Sequence, residues 1–191
     1  MVDLGTGDGR FVLAAAAANP NILVIGVDAS ADATAEASRR AAGPARRGGL
    51  PNALFVVAAA EALPPELDGV ADRVTIHLPW GSLLRGALAV DEAVASGIAR
   101  LVAPGGRVEI LVAPATRDRL DPATDVERRL GDGLAGDWRR FGLKLREARL
   151  ATDEDVAAAH STWARRLGLR AGDADRVAFQ LALERRSPDP R

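Results

Sequence analysis

The residues best suited to chemistry open the chain: Asp3-Leu4-Gly5-Thr6-Gly7-Asp8-Gly9. A short strand that ends in an acid and enters closely spaced glycines brings backbone N–H groups to a helix N-terminus. Glycine also lets the backbone approach a ligand that a Cβ would obstruct. Asp28 follows the next apolar run, Ile22 to Val27, at a position where a carboxylate accepts hydrogen bonds from ribose hydroxyls. That much serves a dinucleotide equally well. Asp3 tips the balance, because a carboxylate just before the glycines repels a pyrophosphate but attracts a cationic methionine moiety. The expected cofactor is therefore S-adenosyl-L-methionine, held by Asp3, Gly5, Thr6, Gly7, Gly9 and Asp28, with a nicotinamide or flavin enzyme as the competing reading.

Two further segments carry candidate side chains. In Ala58-Ala59-Ala60-Glu61-Ala62-Leu63-Pro64, small residues can border a flat adenine while Glu61 or a backbone group reads its edge; the same residues would equally start an alanine-rich helix. Leu78-Pro79-Trp80-Gly81-Ser82-Leu83-Leu84 follows a strand-like run and sits where open α/β folds bind ligands, beyond the carboxyl ends of the strands. Enzymes that methylate exocyclic base nitrogens commonly show Asn/Asp-Pro-Pro-Tyr/Phe there. Pro79-Trp80 keeps the turn and the aromatic but lacks the amide acceptor, which a ring nitrogen with its own lone pair does not need.

The chain has no tyrosine and three tryptophans. Trp80 on its loop and Trp163 in a basic, small-residue segment are candidates for stacking on a planar substrate, worth ~1–3 kcal/mol per base. Trp138 reads as core. The only histidines, His77 and His160, read as structural or incidental, so no general base is evident.

Charge and composition bound the rest. Of 25 basic residues 24 are arginine, and the net charge of −1 argues against wholesale coating of nucleic acid. Local distribution differs: Ala37 to Ala60 is free of acids and holds Arg39, Arg40, Arg46 and Arg47, while Val156 to Gly172 is free of acids and holds Arg165, Arg166 and Arg170. These read as two parts of one basic face suited to phosphate, or as plain solvated surface. With no cysteine there are no disulfides and no thiolate metal sites, and no metal is expected. No apolar run approaches a membrane span and no signal peptide is evident, so a cytoplasmic protein is expected.

The elements that must position these residues alternate short apolar runs with helical segments, the pattern of a parallel sheet with crossover helices. At 191 residues a single domain is expected over 1–186, with 187–191 a loose tail. Strands are read at Met1 to Leu4, Ile22 to Val27, Ala53 to Val57, Val74 to Leu78, Arg107 to Val112, Lys144 to Ala151 and Arg176 to Glu184. Helices are read at Arg10 to Asn19, Ala31 to Ala42 and Asp91 to Val102, with Pro104-Gly105-Gly106 a turn. The result is a Rossmann-like α/β fold: a mostly parallel seven-stranded sheet with helices on both faces and an inserted segment over 152–175.

The residues together resemble a family: the aminoglycoside-resistance 16S rRNA methyltransferases of the Kam and Npm type, which modify N1 of adenine 1408. The likeness rests on Asp3 to Arg10, Gly26-Val27-Asp28, Arg47 to Asn52, Ala58 to Pro64, Pro79 to Leu84 and Ser161 to Leu167. It implies that the tryptophans at 80 and 163 hold a flipped adenine between them, and that Asp3, Gly5, Asp28, Ala60, Glu61 and Ser82 face the cofactor. It also implies that Ser161, Arg165 and Arg166, and the basic loop of Arg46 and Arg47, touch RNA. The partner implied is 16S rRNA in the 30S subunit, with the enzyme a monomer that confers aminoglycoside resistance or self-protection. The chain departs from the family in starting at Met1-Val2-Asp3, so the N-terminal part reads as truncated. It departs again in placing Asp173 and Asp175 after Arg170. A small-molecule methyltransferase and an RNA-binding relative with impaired catalysis are the alternatives.

Overall fold

In the computed structural model, which describes residues 1–114, 132–169 and 177–187, seven strands form one sheet in the order β3-β2-β1-β4-β5-β7-β6. The strands are β1 (Val2–Leu4), β2 (Val24–Asp28), β3 (Ala53–Val57), β4 (Ala71–His77), β5 (Val102–Val112), β6 (Leu143–Leu150) and β7 (Phe179–Arg185). The pairings from β3 through β5 are parallel, and β7 runs antiparallel to both β5 and β6. This is the doubly wound α/β fold expected from the sequence.

The helices are α1 (Arg10–Ala18), α2 (Ala31–Ala41), α3 (Gly81–Ala87), α4 (Glu92–Leu101), α5 (Asp132–Arg140), α6 (Asp153–Ala158) and α7 (Thr162–Leu167). Their starts are written in capping residues. Ser30 accepts from Ala33 N–H, Asp91 from Val94 N–H and Ser161 from Ala164 N–H, satisfying donors that a helix start leaves open. Thr152 and Asp155 complete a reciprocal capping box on α6.

Leu4, Val27, Val74, Ile76, Val108 and Ile110 belong to one buried apolar cluster, with Ile98 and Leu101 of α4 packed among them. β1 pairs on both sides, with Val2 opposite Ile25 and opposite Val74. Because β2 lies on one side of β1 and β4 on the other, the chain reverses its winding there, and a crevice opens beyond the carboxyl ends of these strands. No helix among the described residues is long and apolar enough to cross a membrane.

Several readings needed adjusting. Pro104-Gly105-Gly106 is not a free turn: β5 begins at Val102, and its pairing shifts from Ala71↔Val102 to Arg73↔Arg107, so the glycines form a bulge within the strand. Ala60–Ala62 is one 3-10 turn rather than an alanine-rich helix start. The short helices α3, α6 and α7 were not separated in the sequence. Trp138 is fully buried, as read, and meets Phe141 edge-on. The C-terminal part of the inserted segment and residues 188–191 of the tail lie outside the described residues.

Candidate cofactor and substrate site

The glycine loop is a tightly tied turn. Gly5, Gly7 and Gly9 all adopt positive φ, at 75°, 56° and 69°, which a residue with a Cβ enters at a cost of roughly 1–2 kcal/mol. Space is equally decisive: a Cβ on Gly9 would lie 2.5 Å from Ala37 Cβ, whereas one on Gly7 would meet nothing within 4 Å and project into open space. The N–H groups of Gly5 and Thr6 both bond the carbonyl of Val27, and Gly9 N–H bonds that of Thr6.

Asp28 joins the loop to β2. Its Oδ2 accepts Gly7 N–H at 2.8 Å and its Oδ1 accepts Ser30 N–H at 2.9 Å. Each oxygen keeps a further lone pair for a ligand hydroxyl.

Asp3 lies on β1 opposite Thr75 of β4, with only 2 % of its surface exposed. Its Oδ1 accepts the Thr75 hydroxyl at 2.7 Å and lies 3.3 Å from His77 Nδ1, which is outside hydrogen-bond geometry. The ring of His77 meets that of Phe11 edge-on at 4.3 Å. A buried carboxylate so lightly solvated favours a cation beside it.

These groups border one cavity of about 550 Å³ that also takes in Ala58 to Glu61 and Leu78 to Leu83. Such a volume suits a cofactor. Thr6 Oγ1 is buried in its wall without a hydrogen-bond partner among the described residues. Ala60 is buried and Glu61 exposed beside it. Gly97 of α4 sets that border, since a Cβ there would lie 1.9 Å from the Ala60 carbonyl oxygen. Among the described residues no group of three or more metal-binding side chains exists. Buried acid, unsatisfied hydroxyl, paired ribose acceptor and small-residue border together fit S-adenosylmethionine.

On the substrate side Trp80 is 80 % exposed. Leu78 holds φ at 51°, a strained value for leucine before a proline, and the chain then turns through Pro79 to place Trp80 at the start of α3, with Ser82 half-buried behind it. Across the cavity, Ser161 caps α7 through its Oγ, and Arg165 is exposed on that helix. The backbone places Trp163 and Arg166 on α7, while Arg170 lies outside the described residues.

The first arginine cluster is elsewhere. Arg39 and Arg40 end α2, and Arg46 and Arg47 form a 3-10 turn just before β3, whose Ala53 pairs with the first residue of β2. They therefore lie at the end of the sheet opposite the glycine loop and do not border the cavity. Arg39 pairs with Glu36; Arg40, Arg46 and Arg47 have no ion-pair partner among the described residues.

Nothing in the sequence alone marked a role for Thr75, Phe11 or Asp8, and His77 read only as structural or incidental. Residues 75 and 77 share the face of β4 that meets Asp3, so the strand period held the signal, but only once β1 was known to pair with β4.

Fold and site define the chain as a methyltransferase of the Rossmann-like, S-adenosylmethionine-dependent class. Comparison with known proteins narrows this. The family model described as NpmA, 16S rRNA (adenine(1408)-N(1))-methyltransferase, matches residues 1–182. A 16S rRNA (adenine(1408)-N(1))-methyltransferase of Streptoalloteichus hindustanus is 34 % identical over 175 residues, covering 87 % of this chain and 79 % of the relative. The crystal structure of the 16S rRNA methyltransferase KamB superimposes with a TM-score of 0.83 at 32 % identity, over 98 % of this chain and 87 % of that one. A variant of the Catenulisporales acidiphilia enzyme, solved with its cosubstrate SAM, gives a TM-score of 0.81 at 34 % identity, over 100 % and 87 %. The chain belongs to the 16S rRNA (adenine(1408)-N(1))-methyltransferase family.

Proposed function

We propose that this chain methylates N1 of adenine 1408 in 16S rRNA, acting as a monomer on the assembled 30S subunit in the cytoplasm and conferring aminoglycoside resistance or self-protection. The single observation that carries the reading is the exposed Trp80 held at the mouth of a cavity fit for S-adenosylmethionine. Bound there, the cofactor supplies an electrophilic methyl group. Asp3 would hold its cationic amino-acid end and Asp28 its ribose. Thr6, Gly5, Gly7, Ala60, Glu61 and Ser82 would complete the wall; Gly9, expected there from the sequence, does not border the cavity, since a Cβ on it would meet Ala37 and Phe55 behind the loop.

The protein's remaining task is positioning, which by itself can supply ~7–11 kcal/mol of a barrier. Adenine N1 presents a lone pair and needs no base. Trp80 supplies one aromatic face for a flipped adenine, and Trp163, on the facing helix, the other; stacking offsets the cost of unstacking the base. The same faces attract the positive charge that appears on the methylated ring.

Ser161 and the arginines of residues 156–172 would contact RNA beside the target. Arg39, Arg40, Arg46 and Arg47, at the far end of the sheet, would reach it only across a broad footprint, which a folded ribosomal subunit offers. The inserted segment over 152–175 serves as the substrate-recognition element of one domain.

Primer extension on 30S subunits treated with the protein and S-adenosylmethionine tests this. A reverse-transcription stop at adenine 1408 is expected, and Trp80→Ala should weaken it by about tenfold to hundredfold at unchanged cofactor affinity, in line with one lost stacking contact. No stop with the unaltered chain would refute the assignment.

A further inference from the structure

A second cavity, also about 550 Å³, adjoins the first; His160 and Ser161 line both. Its apolar floor includes Val156, Ala164 and Leu169, and its rim carries Arg10 from α1 and Arg165 from α7. A chain of side-chain contacts sets these two guanidinium groups. Asp8 Oδ2 accepts the Thr162 hydroxyl at 2.5 Å and lies 3.2 Å from Arg10 Nε, while Arg165 Nη2 donates to Thr162 Oγ1 at 3.4 Å. The glycine loop and the recognition helix, 154 residues apart, are thus joined by two side chains that line the first cavity and hold Arg10 and Arg165 on the rim of the second.

Arg10 and Arg165 both border this cavity, and of the two only Arg10 has a carboxylate partner, Asp8, among the described residues. Arg10 uses Nε on Asp8 and keeps its terminal Nη donors; Arg165 spends one Nη on Thr162. Two oriented cationic forks above an apolar floor match a nucleotide, whose phosphate takes the forks and whose base takes the floor.

We propose that this second cavity seats a nucleotide adjacent to the target adenine, with its phosphodiester held between Arg10 and Arg165, and that Asp8 and Thr162 position those two arginines. The inference rests on the 16S rRNA reading above. It adds Arg10, on the cofactor side of the molecule, to the RNA contacts. Since His160 and Ser161 border both cavities, an RNA strand whose adenine enters the first passes directly over the second. Asp8 then has two duties, in the glycine loop and in ordering the RNA clamp.

The test is equilibrium binding of 30S subunits across a salt series, with calorimetry for S-adenosylmethionine on the same preparations. Arg10→Ala should bind 30S about tenfold more weakly and lower the slope of log affinity against log salt by about one, the mark of one lost phosphate contact, at unchanged cofactor affinity. Arg10→Lys should retain the slope but lose part of the affinity, because it keeps the charge without the fork. Asp8→Asn should weaken 30S binding less than Arg10→Ala. Wild-type 30S affinity and slope in Arg10→Ala would overturn the clamp, as would a matching loss of cofactor affinity, which would make Arg10 a support of the loop. If the unaltered chain gives a primer-extension stop at adenine 1408 and Arg10→Ala binds normally, the clamp fails alone; if the unaltered chain gives no stop, the reading beneath it fails.

Discussion

Two walls face each other across the cofactor cavity, and they are held by different forces. The glycine-loop wall is tied by backbone amides, with Gly5 and Thr6 on Val27 and Gly7 and Ser30 on the two oxygens of Asp28, and it is backed by buried Leu4 and Val27. The recognition wall, α6 and α7, consists of two short helices whose ends rest on side chains. Thr152 and Asp155 cap the first, Ser161 caps the second, and Arg149 grips Asp155 from β6 with two bonds of 2.6 Å and 3.0 Å. The contrast separates two tasks. A cofactor of constant shape is met by a wall fixed at the backbone. The wall proposed to meet RNA is built from small elements, in keeping with the general finding that binding segments come from the less stable parts of a fold.

Substitutions that strike each wall separately can break this comparison. The largest effect is expected from Gly9→Val, which forces a β-branched residue to a φ of 69° and drives its Cβ toward Ala37 and Phe55. Strain and overpacking together come to roughly 3 kcal/mol. A melting temperature lower by about 10 °C, together with loss of cofactor binding in calorimetry, is the outcome to look for. Retained binding would mean that the loop is softer than its hydrogen bonds imply.

Asp3→Asn is next. It leaves the fold but removes the buried charge proposed to face the cofactor's cation, a change of about 1.5–3 kcal/mol, so the Kd for S-adenosylmethionine should rise by about tenfold to a hundredfold.

The smallest effect belongs to the recognition wall. The hydrogen bonds from Arg149 hold the Asp155 carboxyl well below the usual carboxylate range, helped by the Thr152 N–H and hydroxyl, and Asp155 in turn raises the Arg149 guanidinium further above its ordinary value. A carboxyl depressed in the folded state contributes stability that is present above its unfolded pKa of ~3.9 and is lost as pH falls through the lower folded value. Asp155→Asn should therefore cost about 1 kcal/mol at neutral pH, the scale of a lost cap in a mostly exposed setting, and the gap to the unaltered chain should close below pH ~4. Denaturant melts at several pH values measure it. Cofactor affinity should not move; if it does, the walls are not independent.

Much of the candidate site could be picked out because its signals are local. The glycines follow a short strand and the two acids end apolar runs, so residue type and spacing single them out. Trp80 stood out because an aromatic after a proline, beyond a strand, has nothing local to pack on. The contacts that cross the chain stayed hidden. Nothing near Asp8 points to Thr162, nothing near Gly97 points to the carbonyl of Ala60, and the basic loop around Arg46 carries no sign that it sits at the far end of the sheet.

By itself, then, the sequence determined the order of the strands and of the longer helices α1, α2 and α4, the glycine loop, the two acids that end β1 and β2 and the tryptophan at the mouth, since periodicity, capping and turn chemistry act over a few residues. The tertiary structure decided which groups meet. Pairing β1 with β4 put Thr75 and His77 against Asp3, docking α4 shaped the border at Ala60, and folding α7 over the glycine loop joined Asp8 to Thr162. The reason is physical: the side-chain period of a strand says which residues share a face, but only the packed sheet says what that face looks upon.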